Sequence, residues 1–561
     1  MKKLVSVVLC VFLLLSVVFT FVACSKDNEI DELVINNWAD YIFEDEKKMD
    51  GFKKYYEDVT GRPIKITYVT FDTNETLLTR LTQGDSIADV VCPSEYAIQK
   101  LLEMDMLVPL YYFDADTYSA SFNDRTKANY VHNGNNVEPQ ILEMVEQTFG
   151  TFDITVDTNG DRQYNITKSV TMTDCFVPYM YGTLGILYNK YAFMDLGIYD
   201  EQIMNKANWG ILFNDDGEGN ILSDGLTGNI LMKDSIRDSY AATIFYLQER
   251  VMLEGLTNDA GESYATMPAD KLINAVDDKL LDKVRQALIE QKEQLFGYEV
   301  DFGKDDLLMG NAIVDLAWSG DALYAVEESW NDDLGEEGDY ELAYYVPHSA
   351  GNIWFDGWVV PKTYNPKHIN QIKLFINYLN NPKSAAENFM SIGYTPAIKP
   401  EVLLNDVSEG GARSVLSKGY IVNDPDYWDC LDEKGNPITE FDYDSWDEFV
   451  AYFFDFAEDG VSMDEIGNSN WRYPFLSAEL NADNYRNIYS LGVMRDFGDK
   501  NKDVVTAWNY ARSSGNSTDS LLLLGWTVLA VAVAVGALFA VIGIKRWRSH
   551  TIKLPTAASQ S

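Results

Sequence analysis

Two short runs set aromatic rings beside a carboxylate: Trp38-Ala39-Asp40-Tyr41 and Trp354-Phe355-Asp356. A carboxylate neutralises an ammonium group, and an aromatic face attracts the same cation through its quadrupole. Aromatic walls also shelter methylene groups, so the pairing suits an alkyl chain that carries amines, a diamine or a polyamine. Most aromatic residues fill protein cores. What sets these apart is the recurrence of the pairing, in a chain with 34 tyrosines and 13% aromatic residues.

Charge points the same way. The 561 residues include 87 acidic and 44 basic ones, a formal net charge of −43. Nucleic acid and anionic lipid surfaces call for a basic face, so neither is expected as a partner. A cationic ligand suits such a chain, although acidity also serves solubility.

Catalytic patterns are weak. His132, His348, His368 and His550 stand in no HExxH spacing, and there is neither a GxSxG elbow nor a phosphate-binding glycine loop. Paired carboxylates are too common here to single out a glycosidase. Asp157, Asn159 and Asp161 resemble the start of a calcium loop, but Gly160 is misplaced and Lys168 stands where the closing acid belongs. No catalytic residue, metal ligand or cofactor is therefore assigned. Cys92, Cys175 and Cys430 are too few for a disulfide framework or a structural zinc site.

The elements that must position the aromatic–acid runs can be read from periodicity. Glu32–Asn37, Ile64–Phe71 and Ala88–Pro93 read as strands, with helices expected over Phe43–Val59 and Glu75–Gln83. A βαβαβ order implies a parallel sheet, and ligands bind beyond the carboxyl ends of such strands. Trp38-Ala39-Asp40-Tyr41 and Ser94-Glu95-Tyr96 both fall there. Further strands are expected at Gly185–Asn189, Ala312–Trp318, Tyr340–Val346 and Trp358–Pro361, and helices at Asp234–Glu254 and His368–Leu379. Asp153–Val170 reads as an added hairpin, with acidic glycine turns at Asp215–Asn220 and Asp432–Asn436.

Two segments carry membrane signals. Lys2 and Lys3 precede the apolar stretch Leu4–Phe21, and Phe21-Val22-Ala23-Cys24 matches a lipoprotein signal cleaved before Cys24, which would carry the lipid. Leu521–Ile544 holds no charged residue, enough to cross a core of about 30 Å. Lys545, Arg546 and Arg548 then predict a cytoplasmic tail. Roughly 490 residues lie between, sufficient for two domains.

Ordered short runs along the chain resemble the spermidine/putrescine-binding proteins of bacterial ABC importers. They are Ile35–Tyr41, Phe71–Glu75, Asp89–Tyr96, Val177-Pro178-Tyr179 with Gly182, Asp234–Asp238, Ala317–Gly320, Trp354–Asp356 and Ile392–Pro396. The resemblance implies an α/β, periplasmic-binding-protein-like fold, two α/β lobes closing about a hinge. Lobe one would comprise 32–185 and 356–400, lobe two 186–352 and 401–513. It implies an aromatic box of Trp38, Tyr41, Tyr96, Trp318, Trp354 and Tyr394. Asp40, Asp238 and Asp356 would bind amines, with Ser94 as a hydrogen-bonding neighbour. On its sequence context Asp238 reads equally as part of a helix cap with Asp234 or Ser235.

The expected role is a monomeric, membrane-anchored extracytoplasmic receptor that delivers a polyamine to the permease subunits and ATPase of an importer. A binder of another solute (an amino acid, sugar or ferric ion) and an ectoenzyme such as a glycosidase are the alternatives. Two positions depart from the spermidine binders: Ser235 replaces an aspartate, and Arg495 falls where a neutral amide is expected and would repel a third ammonium. The acidic turns, Thr257–Val300 and Val407–Asn468 exceed the family's usual compact length.

Overall fold

The computed structural model describes residues 30–84, 88–110, 133–157, 163–198, 208–331, 334, 339–347, 349–399, 402–403, 406, 408, 411–412, 414–415 and 491–514. The apolar stretches around Leu4–Cys24 and Leu521–Ile544, Cys430, the turn at 158–161 and the Asp432–Asn436 turn lie outside them. Among the described residues no helix is long and apolar enough to cross a membrane. Cys92 and Cys175 are free, buried thiols.

The described residues begin with strand β1 (Asp31–Asn37), helix α1 (Asp50–Thr60), β2 (Ile64–Thr70), α2 (Asn74–Gln83), β3 (Val90–Val91) and α3 (Glu95–Glu103). β1 pairs in parallel with both β2 and β3, the arrangement expected of βαβαβ. Helix α1 starts later than its apolar periodicity predicts. Its first free N–H groups, Gly51 and Phe52, donate to the Glu44 carboxylate at 2.7 and 3.0 Å. Unpaired N–H groups at a helix start need such an acceptor, and Glu44 supplies it from the preceding turns. Tyr41, Ile42 and Phe43 thus belong to a loop packed on the core.

Two long strands join this half to the rest. β4 (Phe176–Asn189) and β9 (Gly351–Pro361) run antiparallel, and both are buried almost throughout. Both are longer than predicted, because Pro178 and the glycines of 351–357 mask the strand pattern. Proline is tolerated at a bulge, and here the register shifts between Asp356, opposite Met180, and Gly357, opposite Pro178. The later part of β4 pairs with β7 (Val314–Trp318) and β8 (Leu342–Tyr345). β7 continues in parallel to β5 (Ile230–Lys233), and β5 in parallel to β6 (Leu295–Glu299). The path through the sheet is β2-β1-β3-β9-β4-β7-β5-β6. Helix α4 (Ile236–Glu249) follows β5 and ends earlier than predicted, at Arg250, before Val251 takes a positive φ of 57°. Helix α5 (Ser319–Glu328) follows β7 directly.

The hairpin Thr151–Val156 with Ile166–Thr171 pairs in register, as its alternation predicts. One large apolar core gathers side chains from residues 184–350 and 494–511 together with Tyr96 and Ala97; two others gather those from 33–181 and 353–412 together with Leu323 and Val493.

Asp89 ties the first half together. Fully buried, it accepts hydrogen bonds from Val34 N (2.8 Å) and Asn365 N (2.9 Å), and His368 Nδ1 lies 2.7 Å from it. Removing the carboxylate strands two main-chain donors, and each buried orphan costs about 1–3 kcal/mol. Asp89→Ala should therefore lower the unfolding free energy by roughly 3 kcal/mol, read from urea denaturation. A loss within 0.5 kcal/mol of zero would contradict this role.

Candidate functional site

A cavity of about 90 Å³ opens where the ends of these strands meet. All ten residues singled out from the sequence line it: Trp38, Asp40, Tyr41, Ser94, Tyr96, Asp238, Trp318, Trp354, Asp356 and Tyr394. They come from six separate segments, so the fold assembles them.

The crossing strands make the floor. Trp354 sits opposite Gly182 in the β4–β9 register. A Cβ on Gly182 would strike the Trp354 ring and the Ser319 hydroxyl, so only glycine leaves room for both. Gly320 does the same for Tyr394, whose ring lies against it. The bulge at Asp356 re-aims that side chain, a common device beside binding sites. Asp356 forms an isolated antiparallel bridge with Ser94, and Gly357 N donates to Pro93 O. Ser94 is fixed in turn by Asn74, whose amide donates to its hydroxyl at 2.9 Å and accepts from its N–H at 3.1 Å. Tyr41 meets Tyr394 edge to face at 4.9 Å and Tyr179 at 5.6 Å; Trp354 meets Tyr394 at 5.7 Å. Trp38 packs against Phe71 at 4.6 Å. Asp40 is exposed at the mouth, with a φ of 51° that aspartate tolerates better than most residues.

The facing wall is built on helix starts. Ser235 caps α4, its hydroxyl accepting from Asp238 N, and the Asp238 carboxyl occupies the first turn, where the helix dipole favours negative charge. The cap and the cavity roles of Asp238 therefore coexist. Trp318 ends β7, and Ser319 Oγ accepts from Thr183 N at 3.1 Å. Lys233 lies 4.4 Å from the back of the Trp318 ring and is paired with Glu299.

Further lining residues were not singled out in advance: Asp72, Glu75, Glu95, Asp301, Lys304 and Asp321 among them. Glu75, Glu95 and Asp321 adjoin the aromatic runs and could have been found by that adjacency; Asp301 adjoins only the exposed Phe302, and Lys304 carries no such signal. One expectation is corrected. Arg495 does not line the cavity but lies exposed, its N–H donating to Asn274 Oδ1 at 2.7 Å, and Met494 takes the wall position. The chain turns back through Asp496, which pairs with Lys100 at 3.0 Å, and this pairing directs residue 495 outward.

Eight lining residues carry carboxyl groups and one carries an ammonium. Burial dominates their titration. It pushes Asp356 up to about 7, eased by Ser94 and Tyr41 and reinforced by Asp238. It pushes Glu95 up to about 8, despite a hydrogen bond from Phe355 N at 2.9 Å. Asp238 and Glu75 are raised for the same reason, and the Asp238 charge raises both Glu75 and Asp356 further. Burial and then Asp321 bring Asp301 to about 6. Several buried polar atoms on these residues make no hydrogen bond: Trp38 Nε1, Tyr41 Oη, Glu95 Oε1, Trp354 Nε1 and Asp356 Oδ1. Native interiors rarely leave such atoms unpaired, and a polar group in this cavity can pair them.

The fold is that of a solute-binding protein, an α/β sheet crossed by two long strands with a cavity at the crossing. The chain belongs to the family described as bacterial extracellular solute-binding protein, whose model matches residues 51–413. It is 24% identical over 416 residues to the putrescine-binding periplasmic protein SpuD of Pseudomonas aeruginosa (strain UCBPP-PA14), covering 72% of this chain and 89% of that one. It is 22% identical over 384 residues to the putrescine-binding periplasmic protein PotF of Escherichia coli (strain K12), covering 66% and 81% respectively. A Listeria monocytogenes structure described as a candidate spermidine/putrescine ABC transporter superposes with a TM-score of 0.50 at 22% identity, covering 86% of this chain and all of that one. That likeness supports the periplasmic-binding-protein-like fold.

A carboxyl whose pKa is raised by folding stabilises the protein below its unfolded pKa near 4 and loses that contribution as pH rises through its folded value. For Asp356 and Glu95 that window runs from about 4 to 7 and 8. Each group removes up to about 1.4 kcal/mol per pH unit inside it. The ligand-free protein should thus lose unfolding free energy from pH 5 to 8, and Glu95→Gln should flatten the slope. An unchanged slope in that variant would contradict a protonated Glu95.

Proposed function

We propose that this protein binds a polyamine outside the cytoplasmic membrane and delivers it to the permease subunits of an ATP-driven importer. The observation that carries this reading is the cavity wall of eight carboxyl groups and six aromatic rings with one lysine among them. Carboxylates neutralise ammonium ends, and rings cover the methylenes between them. The two putrescine-binding relatives support the same ligand class. We read Trp38, Asp40, Tyr41, Ser94, Tyr96, Asp238, Trp318, Trp354, Asp356 and Tyr394 as its contacts.

Binding would close two lobes, 32–185 with 356–400 and 186–352 with 401–513, because Asp356 and Asp238 sit on opposite walls and pair with one ligand only when both are near it. The site binds without turnover, as a monomeric receptor. Cys24 carries a lipid and Leu521–Ile544 spans the membrane, which keeps the receptor close to its permease. Exchange of 1–24 for a cleavable signal that leaves no lipid, or removal of 515–561 alone, should leave the protein in the membrane fraction; the two together should release it. Release by either single change would show that one anchor is absent.

Calorimetry of the purified full chain against putrescine, spermidine, spermine and arginine tests the ligand class. Binding to no polyamine below about millimolar, a free energy of about 4 kcal/mol, would sink the proposal. Trp354→Ala and Asp356→Asn should each cost about 2–5 kcal/mol of binding. Because entering ammonium groups expel protons from Asp356 and Glu95, affinity should rise from pH 6 to 8 with proton release.

A further inference from the structure

The cavity already holds an ammonium group of its own. Lys304, in the first turn of the short helix Gly303–Leu308, lines it with Nζ 2.9 Å from Asp321 Oδ1. Asp301 lines the same end, and the Tyr324 ring lies 5.8 Å from the ammonium. The Lys304 and Asp321 side chains are 21% and 11% exposed, so water does little to screen the pair. The other end, with Asp356, Asp238, Glu75 and Glu95, has no lysine or arginine among its described lining residues. Arg237 stands behind it, its guanidinium 3.9 Å from the Phe497 ring and donating to Ile273 O and Asn274 Oδ1. The cavity therefore has one anionic end that is occupied and one that is open.

We propose that Lys304 is a tethered ammonium that fills one anionic end of the cavity and so limits how many ammonium groups a ligand can bring, favouring a two-ammonium amine over a three-ammonium one. This rests on the polyamine reading. A third ammonium would have to displace Lys304 from Asp321 or lie beside it, and a tethered group competes at high effective concentration. The methylene stem of Lys304 also fills space, so methionine replaces the stem without the charge. The cation that the sequence suggested at Arg495 is supplied instead from a different segment.

The test is calorimetric titration of the full chain with putrescine and with spermidine, for wild type, Lys304→Met and Lys304→Arg at one pH and ionic strength. Wild type should bind putrescine at least tenfold more tightly. Lys304→Met should shift the preference at least tenfold towards spermidine, and Lys304→Arg should keep the wild-type preference. A role confined to folding would weaken both amines in parallel and leave their ratio unmoved. An unchanged ratio in a methionine variant that still binds putrescine overturns the inference, as does equal wild-type affinity for the two amines. If wild type binds neither amine, the polyamine reading itself fails and takes this inference with it. Should Lys304→Met not fold, Lys304→Gln gives the same readout.

Discussion

The site is organised by an electrostatic conflict: several carboxyl groups are buried together with too few cations to pair them. Isolated charges cannot be moved into an apolar interior without large cost, and such groups take up protons instead. Asp356 and Glu95 do so, with values near 7 and 8. Folding alone gains nothing from this arrangement. Its sense lies in the exchange it permits, a ligand ammonium for a proton, at a place where surrounding rings exclude water.

The scaffold holds that conflict by several independent devices. Asp356 is turned by a bulge and strapped to Ser94, which is itself clasped by Asn74. Asp238 and Asp321 both sit in first helical turns, where the main chain offers partial positive charge. The rings reach each other because Gly182 and Gly320 carry no side chain. Each device belongs to a different element, so the site exists only in the assembled sheet.

The Trp38–Tyr41 run is legible because it follows a strand end, where periodicity breaks and a short run stands out; Trp354–Asp356 lies inside β9 and is legible by its aromatic–acid pairing alone. All ten residues named from those runs and from the family resemblance reach one cavity. The two crossing strands were read too short for a physical reason: the bulge places Pro178 and Gly357 mid-strand, residues that normally argue against a strand. Helix α1 is shorter than the expected Phe43–Val59 because Phe43 is apolar for a different purpose, packing a loop against the core. Lys304 carries no aromatic–acid signal; Asp301 does adjoin Phe302, but that ring stays exposed, so the pairing there does not mark the cavity. The Arg495 expectation failed by one residue, since a short irregular segment has no periodicity to fix which side chain faces inward.

A second buried cluster lies just behind the first and resolves the same conflict in the opposite way. Lys233 is paired with Glu299, its charge favoured by Glu299, Asp315 and Asp321 although burial opposes it. Glu299 also accepts from Gly303 N at 2.8 Å, at the start of the helix that carries Lys304. The internal pair thus anchors the helix from which Lys304 enters the cavity, while Lys233 supports the back of Trp318. Breaking a buried pair by removing one partner is costly, so this cluster is a fixed part of the wall. The difference between the two clusters is therefore one of supply: Lys233 pairs with Glu299, although burial and Glu299 hold Asp315 well above the usual carboxylate range, whereas among the described lining residues no lysine or arginine meets the carboxyl groups around Asp356. Receptor function requires both kinds side by side, because an open anionic end can select a ligand only if the wall around it does not relax to meet the charge itself.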